Sequence, residues 1–265
     1  DRLAKEVEDR GFESLWLPEH SHIPSSRLTP FPGAAPGREE LPDVYWHLND
    51  QLVSLSMAAA ATDTLVLGTA VTLVAQHDPV WLAKQIATLD FHTGGRVELG
   101  VGFGWNRDEY ESPGYKFSDR YTRTRDNIGI MKALWTQDEA AFEGTLQSLE
   151  PSWSWPKPAG DIPLLVGGGS GPRLLQHLFE WGDGWMPMIT DDEALISACA
   201  KLTENMLSSR KIIPTIIPLR RLNLVDLNES VDTILKLKEA GCTGIEHFQA
   251  YTTLDEFKYI ADRLL

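Results

Sequence analysis

The sequence predicts an α/β protein of the (β/α)8 TIM barrel class. Three observations lead there. Its 265 residues match the roughly 250 typical of one such barrel. Short apolar runs alternate with amphipathic helical stretches from end to end, as a parallel sheet with crossover helices requires. Glycine and polar residues gather after the apolar runs, at the strand ends where a barrel builds its sites. The unit is plainest over 65–104. There a buried strand (65–71) runs through polar Gln76-His77-Asp78 into a helix (79–92), a Gly94-Gly95 turn, a strand (96–101) and the glycine-rich stretch 102–104. An open doubly wound sheet is the alternative, but an unbroken βα repeat favours the barrel.

The elements follow in order. Leu3, Val7 and Phe12 share one side of a helix predicted over 2–10, with Gly11 ending it. Residues 14–18 form a short buried strand that runs into Glu19-His20. Residues 21–49 are rich in Pro, Gly and Ser and lack apolar periodicity; a connection this long is often a functional lid. A helix over 50–61 precedes the 65–71 strand, and Pro79 opens the next helix at a favoured first-turn position. The pattern then predicts a helix over 118–136, a hairpin over 140–149 around Glu143-Gly144, an irregular connector over 153–158 and a strand over 162–166. Helices over 172–181, 191–208, 227–240 and 254–265 alternate with strands over 184–188, 212–217 and 244–248. The leading helix has no strand before it, so the first barrel strand is expected to be missing from this chain. No internal linker divides the sequence, and residues 1–265 are read as one domain.

Acidic residues outnumber basic ones, for a formal net charge of −14. That balance argues against nucleic acid and anionic membranes as partners, and its plain meaning is solubility. No apolar run is long enough for a membrane span, and the charged N-terminus does not read as a signal peptide. The two cysteines, Cys199 and Cys242, lie far apart without a CxxC partner, which fits a reduced, cytoplasmic protein.

Gly167-Gly-Gly-Ser-Gly-Pro-Arg173 opens a helix directly after a buried strand. Free N–H groups at a helix N-terminus bind anions, and glycines let a phosphate approach closely. The other reading is a plain flexible turn. It is neither a Walker motif nor a nicotinamide fingerprint. His20, at a strand end, either acts on a bound ligand as donor or acid/base, or ties down the following loop. Asp78 reads as the cap of the helix that Pro79 opens. No metal-ligand spacing and no GxSxG elbow occur. Trp105 falls in a strand-end loop, whereas most of the nine tryptophans are expected in the core.

Several of these stretches resemble bacterial luciferase-like monooxygenases. They are residues 6–20, Leu67-Gly-Thr-Ala-Val71, 79–90, 94–102 and Gly182-Asp-Gly-Trp185. The match is closest to the actinobacterial branch of oxidoreductases that use the deazaflavin coenzyme F420. The resemblance implies a (β/α)8 barrel of the luciferase-like type, with F420, or alternatively FMN, across its C-terminal mouth and a small organic substrate under the 21–49 loop. It implies that Glu19 and His20 approach the cofactor ring, with His20 catalytic, and that Ala70-Val71 is a bulge holding a non-proline cis peptide. Asn106 is retained near the cofactor, and Gly168, Gly169, Ser170 and Gly171 bind its phosphate. A homodimer is expected. With FMN the same site would hydroxylate its substrate; a third reading is a non-catalytic flavin-binding relative. One departure stands out: related sugar-phosphate dehydrogenases carry a Glu acid where this chain has Phe103, which puts that proton donor and a sugar-phosphate substrate in doubt.

Overall fold

The computed structural model describes residues 1–32, 40–248 and 251–264. Helix α1 (Arg2–Asp9) leads into strand β1 (Ser14–Leu17), and after the long connection α2 (Gln51–Ala59) leads into β2 (Val66–Thr72). Helix α3 (Pro79–Thr93) leads into β3 (Val97–Val101), followed by a short α4 (Arg107–Glu111), a long α5 (Arg120–Thr136) and the hairpin β4 (Ala140–Phe142) and β5 (Leu149–Ser152). Then come β6 (Leu164–Gly168), α6 (Pro172–Glu180), β7 (Gly184–Pro187), α7 (Asp192–Ser208), β8 (Thr215–Ile216), β9 (Leu219–Arg220), α8 (Leu227–Glu239), β10 (Glu246–His247) and α9 (Leu254–Ala261).

Strands β1, β2, β3, β6, β7 and β8 pair in that order as one six-stranded parallel sheet, and β9 pairs in parallel with β10. Ile217 and Pro218 join the two ladders: the Ile217 N–H donates to the Trp185 carbonyl, and the Pro218 carbonyl accepts from the Glu246 N–H. The wall therefore runs in barrel order from β1 to β10. Leu67, Leu99, Leu164 and Trp185 of the wall are buried against Leu82 and Ile86 of α3 and Ile128 and Met131 of α5. Each such side chain contributes about 1.5–3 kcal/mol of burial. Asp78 caps α3 by accepting from the Val80 and Trp81 N–H groups, and Gly94 ends it at φ 72°, a left-handed backbone that glycine adopts without steric cost. Among the described residues no helix is long and apolar enough to cross a membrane.

Four expectations need correction. The strand expected over 212–217 forms only as β8, between Pro214 and Pro218, which lack the N–H a ladder needs, and β9 follows beyond Pro218. The strand expected over 162–166 starts after Pro163 and runs through Gly168, so the free turn is Gly169-Ser170-Gly171. The helix α4 falls where a loop was expected. Trp46, Trp81, Trp153 and Trp155 are exposed rather than core. Residues 33–39 of the expected 21–49 lid, and Leu265 of the last helix, lie outside the described residues.

Candidate active site

In a parallel barrel all strands end on one rim. Strand β1 delivers Glu19 and His20 there, β2 delivers Ala70-Val71, β3 leads to Phe103 and Asn106, and β6 leads to the glycine turn that opens α6. The geometry of each follows from local packing.

The His20 side chain is 9% exposed, and its Nδ1 lies 2.7 Å from Oε2 of Glu109, which is 1% exposed. The other carboxylate oxygen accepts from the Ser21 N–H at 3.3 Å. A carboxylate only accepts, so His20 donates through Nδ1 and keeps Nε2 free of any partner among the described residues. Glu109 is the residue that sequence reasoning missed. It lies 89 residues from His20 on α4, in a stretch without periodicity, where an acid in a first helical turn is ordinary. Its neighbour Asp108 fastens the lid: the Thr29 N–H donates to Asp108 Oδ2 at 2.9 Å, and the Thr29 hydroxyl donates to the same oxygen. The Thr29 hydroxyl and backbone bonds hold the Asp108 carboxyl below its usual range. Phe31 and Tyr45 of the lid pack against Trp105, with ring centroids 5.7 and 6.3 Å from it, and Tyr45 reaches His20 at 5.4 Å.

Glu19 turns away from His20. Its carboxylate accepts from the Leu73 N–H at 2.6 Å and pairs with His77 Nε2 at 2.8 Å. Burial disfavours the His77 cation, but the hydrogen bond and charge of Glu19 outweigh it, and the His77 pKa is raised. Glu19 thus holds the segment that follows β2. Within β2 the Ala70–Val71 peptide is cis, and the ladder to β3 shifts register between Thr69 and Thr72, the bulge expected there. The Val71 side chain fills the space beside two glycines: an ideal Cβ on Gly102 would lie 2.2 Å from Val71 Cγ2, and one on Gly167 3.0 Å from Cγ1. These glycines serve strand packing, not a ligand.

Gly169 and Gly171 differ. A Cβ on either would meet nothing within 4 Å. Both are exposed with Ser170, and Gly171 caps α6 without a side-chain bond. The cradle at the head of α6 is open. Gly168 behind it has φ 136°, a glycine conformation, and its carbonyl accepts from Trp185 Nε1 and the Met188 N–H, both at 3.1 Å. Asn106 is 1% exposed, and neither its amide nitrogen nor its oxygen has a partner among the described residues. A buried orphaned amide costs about 1–3 kcal/mol, a cost that a hydrogen-bonding partner would remove. The open cradle and the orphaned amide both fit a planar, phosphate-bearing cofactor.

A parallel α/β barrel with its polar groups gathered on the C-terminal rim is an enzyme architecture. The sequence model of the luciferase-like monooxygenases matches residues 1–210, and the chain belongs to that family, which places it among oxidoreductases. It is 36% identical over 265 residues to an uncharacterized protein of Mycobacterium tuberculosis, covering 98% of this chain and 90% of that one. It is 29% identical over 188 residues to the F420-dependent glucose-6-phosphate dehydrogenase of Kineococcus radiotolerans, covering 69% of this chain and 50% of that enzyme. The monooxygenase RslO1 of Streptomyces bottropensis superposes with a TM-score of 0.81 at 17% identity, over 99% of this chain and 89% of that one. An F420-dependent secondary alcohol dehydrogenase, solved with an F420–acetone adduct, gives 0.74 at 18% identity, over 100% and 94%. These two structural likenesses are of fold.

Proposed function

We propose that this chain is an F420-dependent oxidoreductase that moves a hydride to or from a small organic substrate held under the lid. The observation that carries the reading is the buried His20–Glu109 pair on the rim, with Nε2 of His20 left unpartnered. Gly169, Ser170 and Gly171 would hold the phosphate, and Asn106 the ring. When bound, a deazaflavin supplies or accepts a hydride at its central ring carbon. The chain supplies the rest. His20 takes the substrate proton at Nε2 in the oxidising direction and returns it in the reducing one. Glu109 keeps Nδ1 protonated and balances the imidazolium charge that forms. Phe31, Tyr45 and Trp105 exclude water from above. The name of the Kineococcus relative favours F420 over FMN. Phe103 replaces the acid of the sugar-phosphate enzymes and stacks on His177 at 4.8 Å, where it moves no proton.

Fluorescence titration of the purified protein with F420 and with FMN tests this. Saturable F420 binding, tighter than FMN, is the expected result. FMN binding alone would transfer the site to monooxygenase chemistry, and binding of neither would end the enzyme reading. Gly169→Val is expected to weaken cofactor binding about 10-fold or more, or about 1.4 kcal/mol, because a branched side chain fills the anion cradle. Since nothing lies within 4 Å of a Cβ there, the melting temperature should not move. Unchanged affinity would remove the turn from the phosphate site.

A further inference from the structure

We propose that Arg120 and Arg173, both over the Tyr121 ring, with Arg123 of the same α5 turn over Tyr115, form a second anion subsite that takes the glutamyl carboxylates extending from the cofactor beyond its phosphate. This rests on the F420 reading above.

The argument is electrostatic. Arg120 and Arg123 fall in the first turn of α5, and Arg173 in the first turn of α6. A helix N-terminus carries about half a positive charge, so acids are favoured there and cations are not. Here three arginines occupy two such ends in a chain of net charge −14. The Arg120 and Arg173 guanidinium carbons lie 4.3 and 4.4 Å from the centroid of the same Tyr121 ring. None of the three forms an ion pair among the described residues, whereas Arg10, Arg107, Arg125 and Arg220 all do. Asp119 precedes Arg120, but its carboxylate accepts from the Ser118 hydroxyl at 2.8 Å.

Arg120 is held in place. Arg120 donates to the Phe117 carbonyl at 2.9 Å and to the Tyr121 hydroxyl at 3.2 Å, while its Nε and that of Arg123 are buried without partners. A second, independent observation points to a ligand. His177, four residues beyond Arg173 on α6, is 5% exposed and stacks near-parallel to Tyr121 at 6.3 Å, yet neither ring nitrogen has a partner among the described residues. Burial lowers its pKa, so it offers a neutral donor beside the three cations. Arg173 stands two residues after Gly171, so the cluster continues the phosphate cradle. FMN ends at its single phosphate. A deazaflavin carrying a glutamyl tail presents carboxylates past its phosphodiester, and guanidinium forks match carboxylates.

The test compares the wild type with the Arg120→Gln/Arg173→Gln double variant, using F420 with its glutamyl tail and, as the control, the deazaflavin riboside 5′-phosphate that keeps the phosphate and lacks only the tail. Kd is read by fluorescence across a salt series, with a thermal melt on each protein. The variant should lose about 10-fold or more in F420 affinity and show a shallower salt dependence, with riboside phosphate affinity and melting unchanged. Equal losses for F420 and the riboside phosphate, or unchanged F420 affinity and salt slope in a variant of a wild type that binds F420, would overturn the subsite alone. Failure of the wild type to bind F420 would overturn both the subsite and the reading beneath it.

Discussion

Replacing His20 with Ala is expected to lower turnover about 10²-fold or more, or about 2.7 kcal/mol, with the fold and cofactor affinity retained. The imidazole sits on the rim with Nε2 free of a partner among the described residues, and its other nitrogen is committed to a buried carboxylate. Without it the substrate proton has no positioned partner. His20 also touches the Tyr45 and Trp105 rings, at 5.4 and 5.9 Å, so the lid loses a contact and KM rises as well. The split between the two constants decides its role. A fall in kcat marks a proton-handling group; a rise in KM alone marks a residue that only seats the lid. Glu109→Gln sharpens the test, since it keeps an acceptor oxygen and removes the charge that balances the imidazolium. An intermediate fall in kcat, about 10-fold, is expected. Wild-type kcat in His20→Ala would take His20 off the list of catalytic residues.

Gly100→Ala is expected to destabilise the fold by about 3 kcal/mol or more, lowering the melting temperature by roughly 6–12 °C. An ideal Cβ at Gly100 would lie 2.0 Å from the Thr69 carbonyl oxygen and 2.7 Å from Met186 Sδ. The methionine can move. The carbonyl cannot, because Thr69 is paired to Leu99 in the β2–β3 ladder and its hydroxyl donates to the Gly100 carbonyl at 3.0 Å. Relief requires parting the two strands that carry the cis bulge and Asn106 to the rim. Thermal melting checks this, and an unchanged melt would mean the strands tolerate the separation. Set beside Gly169→Val, the pair shows two uses of one residue type: at Gly100 a backbone fills the missing side chain's place, and at Gly169 nothing does.

Much of the wall was legible because its signals are local. Helix α3 carries its own start in Asp78-Pro79 and its own stop in Gly94, so its expected span matches the structure closely. The strands at Leu65–Val71 and Arg96–Val101 are apolar runs that need no partner to be recognised. The strand over 212–217 misled because its isoleucines outweighed two prolines, and Ile212 is 92% exposed. The glycine run over 167–171 was read as one feature but is two, since Gly167 packs against Val71 while Gly169 and Gly171 face open space.

The sequence by itself determined the barrel class, the order of its elements, the family resemblance, and the places on the rim to inspect: His20, Ala70-Val71, Asn106 and the Gly-Ser-Gly turn. Only the tertiary structure decided what those residues touch. It gave His20 its partner Glu109, turned Glu19 toward Leu73 and His77, brought Phe31 and Tyr45 onto Trp105, and set Arg120 and Arg173 on one tyrosine. The physical reason is range. Helix caps, turns and apolar periods arise between residues a few positions apart and leave a pattern in the chain. A hydrogen bond across 89 residues depends on where two strands and a short helix come to rest, and an acid in a first helical turn carries no mark of the histidine it will meet.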